Sequence, residues 1–394
     1  MAFDEASRSL AGDVGSRVRA AWAHLGRSRG DDAGAREARD AARRLAKSGP
    51  DACSTAAMRA MQMSRASADE VSWKEIEEEV RMSGDLGTGD ADGMRAALAG
   101  ARAVCALTRF RNEDALESAM HCEAILRGIS VEALEAAKSA PHGWAIATAM
   151  KALGHVERLR GSTERSTELY ERASAYAADV VANEHPGAMA SRIIAEDVAV
   201  DCSLALAQAY AASGDVEKAE EHAARAVSGC EALGDERHPR VGVAIAASGD
   251  VYVAKALRGM TAEAGQGDGA GVMFAEGLYS SALKLMHYPH AVEDARAASL
   301  DHEARHLCAI LHARYSSILR ASGSHRVREA EKWLASARLL WPDESGREEG
   351  GLDGVAVVTR AATKLGVKNG GIIVLDTQQM VPFTMFPAPR ETTK

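Results

Sequence analysis

Residues 207–227 read AQAYAASGDVEKAEEHAARAV. On both sides of Gly214 apolar and small residues recur at three- and four-residue spacing, the mark of two amphipathic helices rather than of strands. The large residues Leu206 and Tyr210 fall where one helix fills the groove of the other, and the small ones Ala207, Ala219 and Ala226 fall where two backbones cross. Gly214 is placed to end the first helix in a left-handed conformation, and Asp215 to cap the second. The unit is a helix pair spanning residues 200–233.

The same arrangement returns on either side. Residues 147–180 carry Leu153 and Gly154, then Gly161, then Tyr170 and Ala173. A third copy has Ser248, Gly249 and Tyr252 in its first helix and Ala275, Tyr279 and Ala282 in its second, split by a Gly-rich insert at about 258–271 that is expected to be a loop. A fourth runs through Gly323, Ala330, Trp333, Leu334 and Ala337 to Pro342. Prolines 141, 186, 239, 289 and 342 punctuate the series, and a histidine adjoins the first four. Proline suits the first turn of a helix and not its middle, so each marks the boundary of a pair. Residues 94–126 hold a degenerate pair and residues 21–46 a weaker one, with a polar, acidic stretch near 83–93 between them. The expected organisation is divergent helical repeats over 1–136, a regular array over 137–345, and a C-terminal helix with an extended tail over 346–394.

Composition agrees with an all-α fold. Hydrophobic residues make up 46% of the chain but aromatics only 4%, so Ala, Leu, Val, Ile and Met must fill the core, which favours closely packed helices. Lys and Arg number 47 against 56 Asp and Glu, and the densest basic run, from Arg27 to Lys47, is interleaved with Asp31, Asp32, Glu37 and Asp40. A phosphate backbone calls for a basic face, so nucleic acid is not expected as a partner. The six cysteines form no C-x-x-C pair and read as small buried hydrophobes of a reducing compartment. No signal-peptide core and no run of 18 apolar residues occurs, so no membrane span is expected. The expected location is the cytoplasm, with the arginines near the N-terminus keeping an organellar address open.

These helix pairs resemble the tetratricopeptide repeat, whose units are about 34 residues long. The resemblance covers residues 141–342, and LGDERHPRV at 233–241 is similar to the extended repeats of kinesin light chains. It implies a right-handed α-α superhelix with a concave groove that takes a protein or peptide. The groove-lining positions implied for the first helices are Thr148, Lys151, His155 and Arg158, then Asp201, Leu204 and Gln208, with Ala211, and then Asp250 among Val243, Ala246 and Val253. Lys151 matches the lysine with which chaperone-binding members clamp a carboxylate, but His155 and Asp201 stand where those members have asparagines.

Two further segments have readings of their own. GGIIVLDTQQMVPFTMF (370–386) holds two apolar stretches after Asn369-Gly370-Gly371 and suggests a short β-hairpin, marginal alone and expected to pack against the last helices or to await a partner's sheet edge. HEARHLCAILH (302–312) places His302, Glu303 and His306 in the H-E-x-x-H order of zinc peptidases, with His312 at the distance of a third ligand. That chemistry needs a glycine to break the helix before the third histidine, and Ala309 favours continuation instead. GTGDADG (87–93) has calcium-loop character but no acidic residue near Ala99 to complete it, and reads as a plain loop. The expected function is an interaction scaffold with no catalysis and no cofactor. A zinc-dependent peptidase built on the HEARH segment and a structural subunit of a larger assembly are the alternatives.

Overall fold

A computed structural model describes residues 88–340 apart from 109–111, 141–142, 184–188, 234–238, 263–268, 287–289 and 293–301, together with residues 373–374 and 383–384. The weak helix pair expected at 21–46 lies outside the described residues. Between Thr88 and Leu340 the described residues are all-α: α1 (Thr88–Thr108), α2 (Asn112–Gly128), α3 (Val131–Lys138), α4 (Gly143–Leu159), α5 (Thr163–Ala182), α6 (Met189–Ser213), α7 (Val216–Leu233), α8 (Pro239–Ala262), α9 (Gly269–Leu285), α10 (His302–Ala321) and, after a 3-10 turn at Ser324–Arg326, α11 (Val327–Leu340). Two compact units are present. Among the described residues, one takes in 88–105, 113–153 and 171–199, the other 106–112, 154–170 and 200–340.

The pairs fall where the periodicity places them, and the turns explain the joints. Gly161 and Gly214 both have positive φ, 83° and 85°. In that conformation Ser162 N–H reaches back to Glu157 O at 2.9 Å, and Asp215 N–H to Tyr210 O at 3.0 Å, closing the last turns of α4 and α6. Asp215 then accepts from Lys218 N–H through Oδ1 at 3.3 Å, capping α7 as expected.

In the first unit small residues set the helix spacing. Ala96, Ala97, Ala99, Ala101 and Ala103 of α1 are buried. Gly100 meets α4 so closely that a β-carbon there would lie 2.9 Å from the Ala152 methyl. Cys122 of α2 fits beneath, its thiol 3.2 Å from Ala96 O. Helix α3 is capped by Ser130, whose hydroxyl accepts from Ala133 N–H, and Tyr176 OH of α5 donates to Leu134 O at 3.1 Å.

The second unit is serial. α7 packs on α8, α8 on α9, α9 on α10 and α10 on α11. Leu204, Val243, Tyr279, Ile310, Leu319, Trp333 and Leu340 belong to one continuous core.

Two expected loops are different in the structure. GTGDADG is helical from Thr88 onward, with Asp92 paired to Arg95 one turn later and Gly93 tucked against Ile146, so its glycine serves packing instead of a turn. The insert at 258–271 is largely absorbed by longer helices, α8 running to Ala262 and α9 starting at Gly269. Met260, Thr261 and Ala262 tolerate helix, and only 263–268 lie outside the described residues. At the far end Ile373 pairs with Thr384 and Val374 with Phe383 in a two-residue antiparallel ladder. The segment that would join them as the expected hairpin, and the expected C-terminal helix, lie outside the described residues.

Cys122, Cys202, Cys230 and Cys308 are buried and lie outside any disulfide. Burial, with Glu123 adding to it, pushes the Cys122 thiol from 9.0 up to about 12. Because the thiolate is the reactive form, all four should resist iodoacetamide in the native protein at pH 8 and label fully in denaturant, as read by peptide mass spectrometry. Native labelling at the denatured rate would contradict this packing. The Cys122 contribution to stability is whole below the usual thiol value and is lost as pH rises toward about 12, since the folded chain then holds a proton that the unfolded chain has released.

Candidate functional site

At three places in the second unit a buried polar side chain bonds a hydroxyl of the neighbouring helix, and two of them are built alike. Where α4 crosses α5, Gly154 lets the Tyr170 ring lie directly over the helix, and a β-carbon at 154 would meet Tyr170 Cε1 at 2.4 Å. The ring's hydroxyl thereby reaches the next side chain, His155 Nδ1, at 2.9 Å. Where α8 crosses α9, Gly249 admits Tyr279 in the same way, at 2.7 Å from a β-carbon, and the hydroxyl donates to Asp250 Oδ1. The shared pattern is a glycine, a polar residue after it and a tyrosine from the partner helix.

Asp250 also accepts from Arg314 Nη1 of α10 through Oδ2, so one carboxylate joins three helices. Burial pushes the Asp250 carboxyl up, opposed by the Arg314 charge and by the bonds from Tyr279 and Arg314. Burial, and after it the Asp250 charge, holds the Tyr279 hydroxyl well above its usual range. At Arg314 burial pulls downward and the Asp250 carboxylate overcomes it, so the guanidinium keeps its charge. Arg314 Nε is buried without a partner, which makes Asp250 the group that compensates this cation.

The third place lies between α10 and α11. His312 is fully buried, its Nδ1 2.8 Å from Ser336 Oγ and its ring edge-on to Trp333 at 4.7 Å. Tyr315 meets the same indole at 4.8 Å. Helix α10 is continuous through Ala309, so His312 lies about 9 Å along the axis from His306 and on a different face. The side chains of His302, Glu303 and His306 lie outside the described residues. Among those described, no three His, Cys, Asp or Glu side chains gather as a metal site.

Of the eight residues expected to line a groove, Thr148, Lys151, His155, Arg158, Asp201, Leu204 and Asp250 are buried and Gln208 is half-buried. Thr148 and Lys151 belong to the first unit and the other six to the second. Their polar groups are engaged within the chain. Thr148 Oγ1 donates to Trp144 O at 2.9 Å, Arg158 Nη1 to Thr163 Oγ1 at 2.9 Å and Gln208 Nε2 to Leu204 O at 3.1 Å, and Lys151 and Asp201 have partners as well. Burial pulls the Arg158 guanidinium below its usual range, with Tyr170 opposing. The structure thus gathers Asp250 with Tyr279 and Arg314, a cluster that sequence reasoning met only in part. Tyr279 and Gly249 were visible as repeat positions, whereas Arg314 carries no motif.

The exposed large apolar side chains among the described residues include Met273 and Phe274 on α9, with Phe274 edge-on to Tyr252 at 4.5 Å. No helix among the described residues is long and apolar enough to cross a membrane. No family model matches this chain, and no curated protein matches it.

Proposed function

We propose that the chain is a non-catalytic interaction scaffold, a tetratricopeptide-like array of helix pairs that winds as a right-handed superhelix and binds a protein or peptide partner. The observation that carries this reading is the serial packing of α7 through α11, each helix meeting the next. An array built by nearest-neighbour contacts presents long, adaptable helix surfaces, and its core side chains are occupied in holding those helices together. His155, Asp250 and His312 fit that economy, since each is bonded to a hydroxyl of the neighbouring helix.

The test is affinity capture of the full tagged chain followed by cross-linking mass spectrometry and direct binding of the purified pair. Intermolecular cross-links on exposed residues of 200–340, with saturable two-component binding, are expected. Stoichiometric zinc together with peptide cleavage lost in Glu303→Gln would replace this reading with the peptidase one. Cross-links confined to fixed neighbours within one large particle would replace it with the structural-subunit one.

A further inference from the structure

Sixteen residues, 286–301, separate α9 from α10, the longest connection between consecutive helices of the second unit. Ala309 and Ala313 of α10 are small and buried in the common core of this unit. Apolar contact is non-directional, and a row of alanines moved by one turn still meets apolar surface. Charge is different. A shift of α10 by one turn, about 5.4 Å, would part Arg314 from Asp250 and leave two buried charges without compensation.

Two more polar contacts bear on the same part of the unit. Arg326, in the turn before α11, bonds Glu276 of α9 at 2.5 Å and Glu329 at 2.8 Å, with both Arg326 and Glu276 about three-quarters shielded. Val292 N–H donates to Ser336 Oγ at 2.7 Å, fastening the connecting segment to α11 beside His312. Each contact is directional, and Asp250–Arg314 is the fully enclosed one.

We propose that the Asp250–Arg314 pair is a register lock that couples α10–α11 to α8–α9, so that these four helices open as one cooperative unit. In a nearest-neighbour array the cooperativity of adjacent pairs depends on the interface between them, and here the most enclosed of three directional contacts is the Asp250–Arg314 pair. Without the lock, α10–α11 becomes a separate unit that opens before the rest.

Hydrogen exchange by mass spectrometry on the full chain tests this. In the wild type, peptides from 239–262, 269–285, 302–321 and 327–340 should share one slowest opening rate. In Asp250→Asn, peptides from 302–340 should exchange about a hundredfold faster while those from 216–262 change far less. Equal acceleration of all helices would overturn the lock and leave only a general loss of stability. Should Asp250→Asn not fold, the apolar pair Asp250→Leu with Arg314→Met removes both charges at once and is expected to fold. In that double variant two opening rates, one for 216–285 and a faster one for 302–340, support the lock. A single shared rate, as in the wild type, overturns it.

Discussion

Gly154→Ala and Gly249→Ala are each expected to lower the free energy of unfolding by about 2–3 kcal/mol, whereas Gly277→Ala should raise it by about 0.5–1 kcal/mol. All three glycines are helical, so intrinsic propensity favours alanine at each by a similar amount. The difference lies in what the new methyl meets. At Gly277 there is open space, while at Gly154 and Gly249 a β-carbon would lie 2.4 and 2.7 Å from ring atoms of Tyr170 and Tyr279. Neither ring can withdraw easily, because each is fully buried and its hydroxyl is bonded to the residue following the glycine. Urea unfolding of the three variants reads the difference directly. A double-mutant cycle of Gly154→Ala with Tyr170→Leu should show coupling above about 1 kcal/mol, since the smaller side chain relieves the clash. If Gly154→Ala were as benign as Gly277→Ala, the close crossing of α4 and α5 would be refuted.

That crossing was also the most legible feature of the sequence. Small residues at helix contacts and glycine at a joint are local signals: Gly214 with Asp215, and Gly154 with Tyr170, can be read without knowing what the helices pack against. The helix pairs and the all-α class followed from them. Less visible were features decided by tertiary context. GTGDADG has loop composition, yet Gly93 is wanted for its closeness to Ile146 and the segment is helical. The glycines of 258–271 indicate a loop by composition, but α8 and α9 extend into it from both ends. Helix α3 is short and carries one plain cue, the Ser130 cap.

The candidate site was legible only by position. Asp250 and His155 were placed on the correct helices, but a register gives the direction of a side chain and not what encloses it. Both are buried, and so are Lys151 and Arg158, which charge alone would place in water. Arg314 is one basic residue among 47 Lys and Arg, and only the packing of α10 against α8 and α9 distinguishes it.

Trp333→Ala is expected to be the most damaging single truncation in the last helix pair, lowering stability by about 3–5 kcal/mol, with Trp333→Phe retaining much of the difference. The indole is nearly buried and is met edge-on by two rings, His312 and Tyr315, from the facing helix. Its removal forfeits both aromatic contacts and leaves a cavity whose walls are α-helical and slow to collapse. Denaturant unfolding of the two variants measures the effect, and a loss below about 1 kcal/mol for Trp333→Ala would show that α11 is held by other contacts. The comparison also separates two roles for His312. As a packing partner bonded to Ser336, it should respond to His312→Leu with a loss of stability on the same scale and with unchanged zinc content after purification. Retained stability accompanied by lost zinc would make it a metal ligand, and the continuous helix from His302 to Ala321 would then have to break to bring it there.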